Sequence, residues 1–205
     1  MDSFSQLIIT SIQGVPQAFQ IFVIFLFSYA EGLPIIGSIL PGGTIALLAG
    51  SLSATGIFTP INAVFYIALG SFLGDMTGFF LGKKFKENKF LVKITSHEKY
   101  QKSWDLFDRH IAIITIFGKL LPVVRSTPSI FAAVRGVRTR RYMLYSFLGS
   151  VLWSFGGVFA GNILTTYLGD KAIVVIVAIL IGSFFIIIAK EYIKKLNLRK
   201  SKIGE

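Results

Sequence analysis

The first 82 residues of this chain contain no lysine or arginine, and most of the later cations fall in three dense groups. Eight lie between Lys83 and Arg109, four between Arg135 and Arg141, and six between Lys190 and Lys202. Only Lys119, Arg125 and Lys171 stand apart from them. Long apolar runs separate the groups. Cations gathered at the ends of apolar spans mark the cytoplasmic side of a multi-pass membrane protein, so all three groups are expected there. A net charge of +11 in a soluble chain would suggest nucleic acid. Here the charge is segregated by topology and suits anionic lipid headgroups, so nucleic acid is not an expected partner.

Composition agrees. Hydrophobic residues make up 53% of the chain and charged ones 15%, with a mean hydropathy of +0.69. A soluble domain of this length has too little interior for that much apolar surface. With no cysteine, disulfides, thiol nucleophiles and thiolate-bound metals are excluded. The expected fold class is therefore all-α, a polytopic integral membrane protein in a single membrane domain.

Topology can be read span by span. Residues 1–16 lack a basic n-region and are read as a short interfacial helix, with Leu7, Ile8, Ile12 and Val15 on one side. Residues 61–82 are long enough to cross and end in the first basic group, so they run inward. Residues 83–109 mix aromatic and basic side chains and read as amphipathic helix on the cytoplasmic surface. Residues 142–165 cross outward, residues 172–189 return, and residues 190–205 form a basic cytoplasmic tail.

Two segments do not fit a simple span. Residues 110–137 begin beside one basic group and end beside another, yet Pro122 and Pro128 interrupt a stretch too short to cross twice. A re-entrant hairpin from the cytoplasm satisfies both constraints. Residues 18–57 must likewise leave the chain outside, and EGLPIIGSILPGGT at 31–44 breaks them with Pro34, Pro41, Gly42 and Gly43. Each half then reads as a broken hairpin followed by a spanning helix, in opposite orientations. Inverted repeats with helices broken by Gly and Pro are the pattern of secondary transporters. Irregular backbone at membrane depth requires burial in protein or a wet cavity.

Four ionisable residues fall at that depth: Glu31, Asp75, Lys119 and Arg125. Each costs roughly 2.5–3.5 kcal/mol on insertion scales, so each needs a partner or a function. If the hairpins meet tip to tip, Glu31 faces Lys119 and Arg125. One reading is that these are ion pairs locking the hairpins together, although buried pairs add little net stability. The other is transport: a carboxylate in low dielectric can take up a proton, and arginine can hold a phosphate bidentately. Headgroup binding is assigned to Arg125 and Lys119, with Pro122, Ser126 and Thr127 beside them, and proton coupling to Glu31 and Asp75. The partner of Asp75, near the end of its helix, is expected among the cytoplasmic cations. His97 and His110 are read as surface residues, Trp153 as packing, and the glycines of GGVFAG as points of close helix approach.

These residues also carry a family resemblance, running from about residue 20 to residue 165. Glu31 followed by LPGG resembles an acidic residue ahead of a P-G-(E/D) turn. GDMTGFFLGKK at 74–84 is similar to G-D-x-x-G-Y-x-x-G-(R/K). FGKLLPVVRSTPSIFAAVRG resembles F-x-x-R-F-x-P-x-x-R-T-x-x-P-x-x-A-G, and Trp153 with GGVFAG matches a later W and G-Y-x-x-G. The ordered set resembles the DedA family of bacterial membrane proteins, whose eukaryotic relatives are the VTT-domain scramblases. Two positions depart from that pattern: Gly43 stands where a second acid is expected, and Lys119 where the first arginine is.

The resemblance implies return of undecaprenyl phosphate, or a related anionic lipid, across the bacterial plasma membrane, coupled to protons or another ion. It leaves room for a homo-oligomer. A small-ion or drug/proton antiporter would use the same carboxylates. A membrane lipid phosphatase is disfavoured, because no histidine follows residue 110. No catalytic set, metal or cofactor is expected.

Overall fold

The computed structural model describes residues 10–11, 14–34, 36–37, 43–57, 59–85, 101–120, 125, 127–169, 171–179 and 181–182, residues 101–106 by their backbone alone. All regular elements among them are helical. They are α1 (Gln17–Gly32), α2 (Thr44–Ala54), α3 (Pro60–Lys84), α4 (Gln101–Phe117), α5 (Thr127–Val134) and α6 (Thr139–Leu168), with a 3₁₀ turn at Gly118–Leu120. Residues 171–179 and 181–182 are also helical.

Local chemistry sets these boundaries. Helix α3 opens with proline at its first position, where no amide hydrogen bond is lost, and the Thr59 hydroxyl accepts from the Asn62 amide at 3.4 Å. It closes on Lys83 and Lys84, cations at the negative end of the helix dipole. Helix α6 ends at Gly169, whose φ of 61° favours glycine. At 25 and 30 residues, α3 and α6 rise about 38 and 45 Å, enough to cross a bilayer core of about 30 Å.

The order of short helix, break, short helix and long helix occurs twice: α1, α2, α3 and then α4, α5, α6. The packing also follows one rule. The first arm of each half lies on its own long helix, α1 on α3 and α4 on α6. The second arm crosses to the other half's long helix, α2 on α6 and α5 on α3. The α2–α6 crossing is close. A Cβ at Gly50 would overlap the Val158 carbonyl, one at Gly157 the Ala46 side chain and one at Gly161 the Leu47 carbonyl. The sequence reading of GGVFAG therefore holds for Gly157 and Gly161 but not for Gly156, which faces open space.

Two apolar clusters result. One joins Ile24, Ala46, Ala49, Leu52, Val64, Ile67, Val158 and Ile173. The other joins Met76, Phe79, Phe107, Ile111, Ala132, Ala133 and Tyr142. Along α3 the first cluster precedes the second, and along α6 the order reverses, so the two long helices run antiparallel. The outer faces stay apolar: Phe65, Leu73 and Phe80 on α3, and Leu144, Phe147, Leu152, Phe155 and Ile163 on α6, are all exposed. Such faces suit lipid rather than water, and the chain is a helical membrane protein.

The structure moves several boundaries. The spans read at 61–82 and 142–165 are each longer by a few residues at their ends. Helix α4 runs through the division drawn between 109 and 110; the backbone departs from helical values there, at His110 (φ −122°, ψ 26°). Pro128 was read as a break, yet it sits in the first turn of α5, where a proline removes no helical hydrogen bond. Pro34 does follow the end of α1, and Gly43 precedes α2 with φ of 87°. Pro41, Gly42, Pro122, Ser126 and His97 lie outside the described residues, as do most of residues 1–16, residues 86–100 and residues 183–205.

Candidate functional site

Between the two apolar clusters, α3 and α6 carry polar side chains that face inward. On α3 these are Ser71 and Asp75, four residues apart. On α6 they are Ser146, Ser150 and Ser154, again at intervals of four, preceded by Tyr142. A spacing of four keeps side chains on one face of a helix, and all six are buried.

Lys119, on the 3₁₀ turn that ends the first arm of the second half, projects into this belt. Its Nζ lies 2.6 Å from Asp75 Oδ2 and donates to Ser71 Oγ at 3.0 Å and Ser150 Oγ at 2.6 Å. An ammonium has three N–H donors, so its capacity is filled. Asp75 Oδ2 also accepts from Ser146 Oγ at 2.5 Å, and the Tyr142 side chain hydrogen-bonds Ser146 and Ser129. Asp75 therefore takes its partner from the centre of the protein. The expectation that a cytoplasmic cation would pair with it is corrected, because its side chain turns inward from α3.

Arg125 and Glu31 form the second pair, between the breaks of the two halves. Arg125 Nη2 lies 2.7 Å from Glu31 Oε2, and each residue is 3% exposed. Here the acid and the base come together. The Gly43 amide donates to the Glu31 carboxylate, and the left-handed backbone at Gly43 turns that amide inward. The Arg125 guanidinium also lies over the Trp153 ring, 4.8 Å from its centroid. A Cβ added to Gly43 would stand 2.6 Å from that same ring. Gly43, Trp153 and Arg125 thus occupy one packed corner.

The two pairs differ in completeness. Glu31 engages Nη2 of Arg125, whereas Nε and Nη1 have no hydrogen-bond partner among the described residues. The Trp153 indole nitrogen is buried in the same condition. Buried donors are nearly always satisfied, so this corner holds unused capacity for an acceptor-rich group.

Other expected site residues lie at the edge. Thr127 begins α5 and is half-buried, and buried Pro128 follows it. Pro34 packs toward α3, where a Cβ on Gly78 would meet it at 2.6 Å. Among the described residues no three acidic or histidine side chains come together as metal ligands. Reasoning from sequence missed the serines and Trp153. The Tyr142-Ser146-Ser150-Ser154 ladder was a readable signal, a polar stripe at helical spacing on an apolar helix. Nothing in the sequence revealed that Trp153 would cover a guanidinium.

A family model described as the VTT domain matches residues 40–163, more than half of the chain. Among similar curated proteins is the inner membrane protein YghB of Escherichia coli K12, 29% identical over 188 residues, which cover 83% of this chain and 85% of that protein. The protein DedA of the same strain is 24% identical over 150 residues, covering 69% of this chain and 68% of its own length. An uncharacterized membrane protein of Buchnera aphidicola (strain Sg) is 25% identical over 184 residues, 84% of this chain and 73% of that one. No solved structure matches the chain.

Proposed function

This chain belongs to the VTT-domain family, the DedA family of membrane proteins, and from that premise we propose that it is a transporter for an anionic lipid headgroup. The inner-membrane names of its relatives support a bacterial inner-membrane location. In this reading the arms α1–α2 and α4–α5 are re-entrant hairpins of an inverted repeat, and the basic groups and C-terminus face the cytoplasm. The exchange of second arms between halves is the packing such a repeat would produce.

One observation carries the functional reading: Arg125 is buried between the two breaks with guanidinium nitrogens that lack hydrogen-bond partners among the described residues. A planar, permanently charged fork with spare donors fits phosphate, and an undecaprenyl phosphate tail can stay in lipid while its headgroup crosses. Phosphate and the Glu31 carboxylate compete for the same cation. Proton uptake by Glu31 releases Arg125 to the headgroup, and proton loss restores the pair, which links transport to protons. Lys119, its donors already occupied, supports the site by charge and position.

The test is replacement of Arg125 by Ala, with carrier lipid on the outer face counted by an added, membrane-impermeant probe. We expect inserted protein at normal abundance and return of carrier reduced more than tenfold, the scale of losing a buried charged contact. Normal return would overturn the proposal. Proton movement in liposomes devoid of carrier lipid would favour the antiporter reading instead.

A further inference from the structure

Trp153 remains outside that scheme, and its surroundings say more than packing requires. Its ring covers the Arg125 guanidinium, its edge fills the space a side chain at position 43 would take, and its Nε1 is buried without a partner among the described residues. Indole nitrogens in apolar surroundings normally find an acceptor. Here the orphaned indole N–H accompanies orphaned Nε and Nη1 donors on the cation it covers.

These groups share one chemistry. Indole and guanidinium nitrogens donate and never accept, so three donor atoms without a partner among the described residues in one buried corner call for a ligand made of acceptors. Carboxylate supply is limited: Glu31 is engaged at Nη2 and Asp75 is taken by Lys119. A tetrahedral phosphate presents several oxygens in different directions and can accept from a guanidinium edge and from a neighbouring N–H together.

We propose that Trp153 is a ligand-binding residue, donating its Nε1–H to a phosphate monoester held by Arg125, and that its ring fixes the guanidinium plane for that contact. The proposal rests on the headgroup reading above and deepens it. Gly43 is part of the same device: it leaves room for the ring that a larger residue would displace.

The chain has two tryptophans, so in a Trp104→Phe background Trp153 alone reports on the site. Purified full-length protein in nanodiscs would be titrated with farnesyl phosphate, farnesol and inorganic phosphate while indole emission is followed. Binding of radiolabelled farnesyl phosphate would be measured in parallel for Trp153→Phe, Gly43→Ala and Arg125→Ala. We expect a saturable emission change with farnesyl phosphate and none with farnesol. Trp153→Phe keeps the stack and loses only the N–H, so it should weaken binding about tenfold, the scale of one hydrogen bond to a charged group. Gly43→Ala, which pushes the ring aside, should weaken binding although the indole N–H is still present.

Undiminished affinity in Trp153→Phe with a silent emission signal would overturn this inference, and the headgroup reading would stand on the loss in Arg125→Ala. No binding of farnesyl phosphate by the parent protein would overturn both. Inorganic phosphate competing at equal affinity would support the donor set but assign it to free phosphate, overturning the lipid.

Discussion

Asp75 with Lys119 and Glu31 with Arg125 are each one acid and one base, buried to within a few per cent, at the centre of the same helical bundle. Their surroundings set them apart. The first pair sits inside a ring of hydroxyls from α3 and α6, and every N–H of Lys119 has a partner. The second sits between two broken segments, where an aromatic face and a glycine amide take the place of hydroxyls. Desolvation is costly for both, and only complete hydrogen bonding offsets it. Lys119–Asp75 meets that condition and ties the second half's first arm to both long helices. Arg125–Glu31 does not, which is tolerable where a ligand regularly completes the set. Equal charge and equal burial thus produce a complete fastening in one place and an incomplete pair in another, the one to which the proposed function assigns the headgroup.

The largest effect should come from breaking the complete pair. Asp75→Asn leaves an ammonium buried among serines, and losing one partner of a buried pair costs about 3–5 kcal/mol. Thermal unfolding in detergent should report that loss, with folded yield falling accordingly. Changing both residues, Asp75→Asn with Lys119→Met, removes the orphaned charge and should recover more than half of the stability. If Asp75→Asn unfolds no earlier than the parent while abolishing transport, the division between fastening and binding pair fails.

A smaller effect tests the ring itself. Ser150, the middle serine of the α6 ladder, accepts from Lys119 at 2.6 Å. Ser150→Ala should cost about 1.5–3 kcal/mol, the range for a hydrogen bond to a charged group. Transport per folded molecule should be unchanged, because the remaining contacts still hold Lys119. An equal stability loss for Trp153→Phe, which contacts Arg125 and not Lys119, would erase the contrast between the two pairs.

How far the sequence could be read follows the same division. Charge segregation and length located α3 and α6, since both depend on long stretches in which each residue adds to one signal. The breaks were legible because Pro34 restricts the backbone locally and Gly43 permits a left-handed turn. Pro128 misled, as a proline starts a helix as readily as it ends one. Glu31 could be matched to Arg125 from the expectation that the breaks meet. Asp75 could not be matched to Lys119, because its depth on α3 says nothing of which way its face points until α6 is docked. Rotation about a helix axis is set by neighbours, and the serine ladder was the local trace of that rotation. The contact of Trp153 with Arg125 left no trace, since a ring over a guanidinium depends on two segments distant in sequence.

The smallest effect should come from a third ion pair that lies outside this centre. Asp108 on α4 and Arg135, just past the end of α5, pair at the surface, with side chains 39% and 40% exposed. Two Arg135 nitrogens reach the two Asp108 oxygens, so its geometry is more favourable than that of the pair at the breaks. Water nevertheless solvates either partner when the other is removed, and exposed pairs contribute about 0.2–1 kcal/mol. Arg135→Ala should therefore shift unfolding by no more than that, and less as salt is raised. A loss approaching that of Asp75→Asn would mean that alignment, not burial, decides what an ion pair contributes here. The contrast between the two buried pairs would then need another cause.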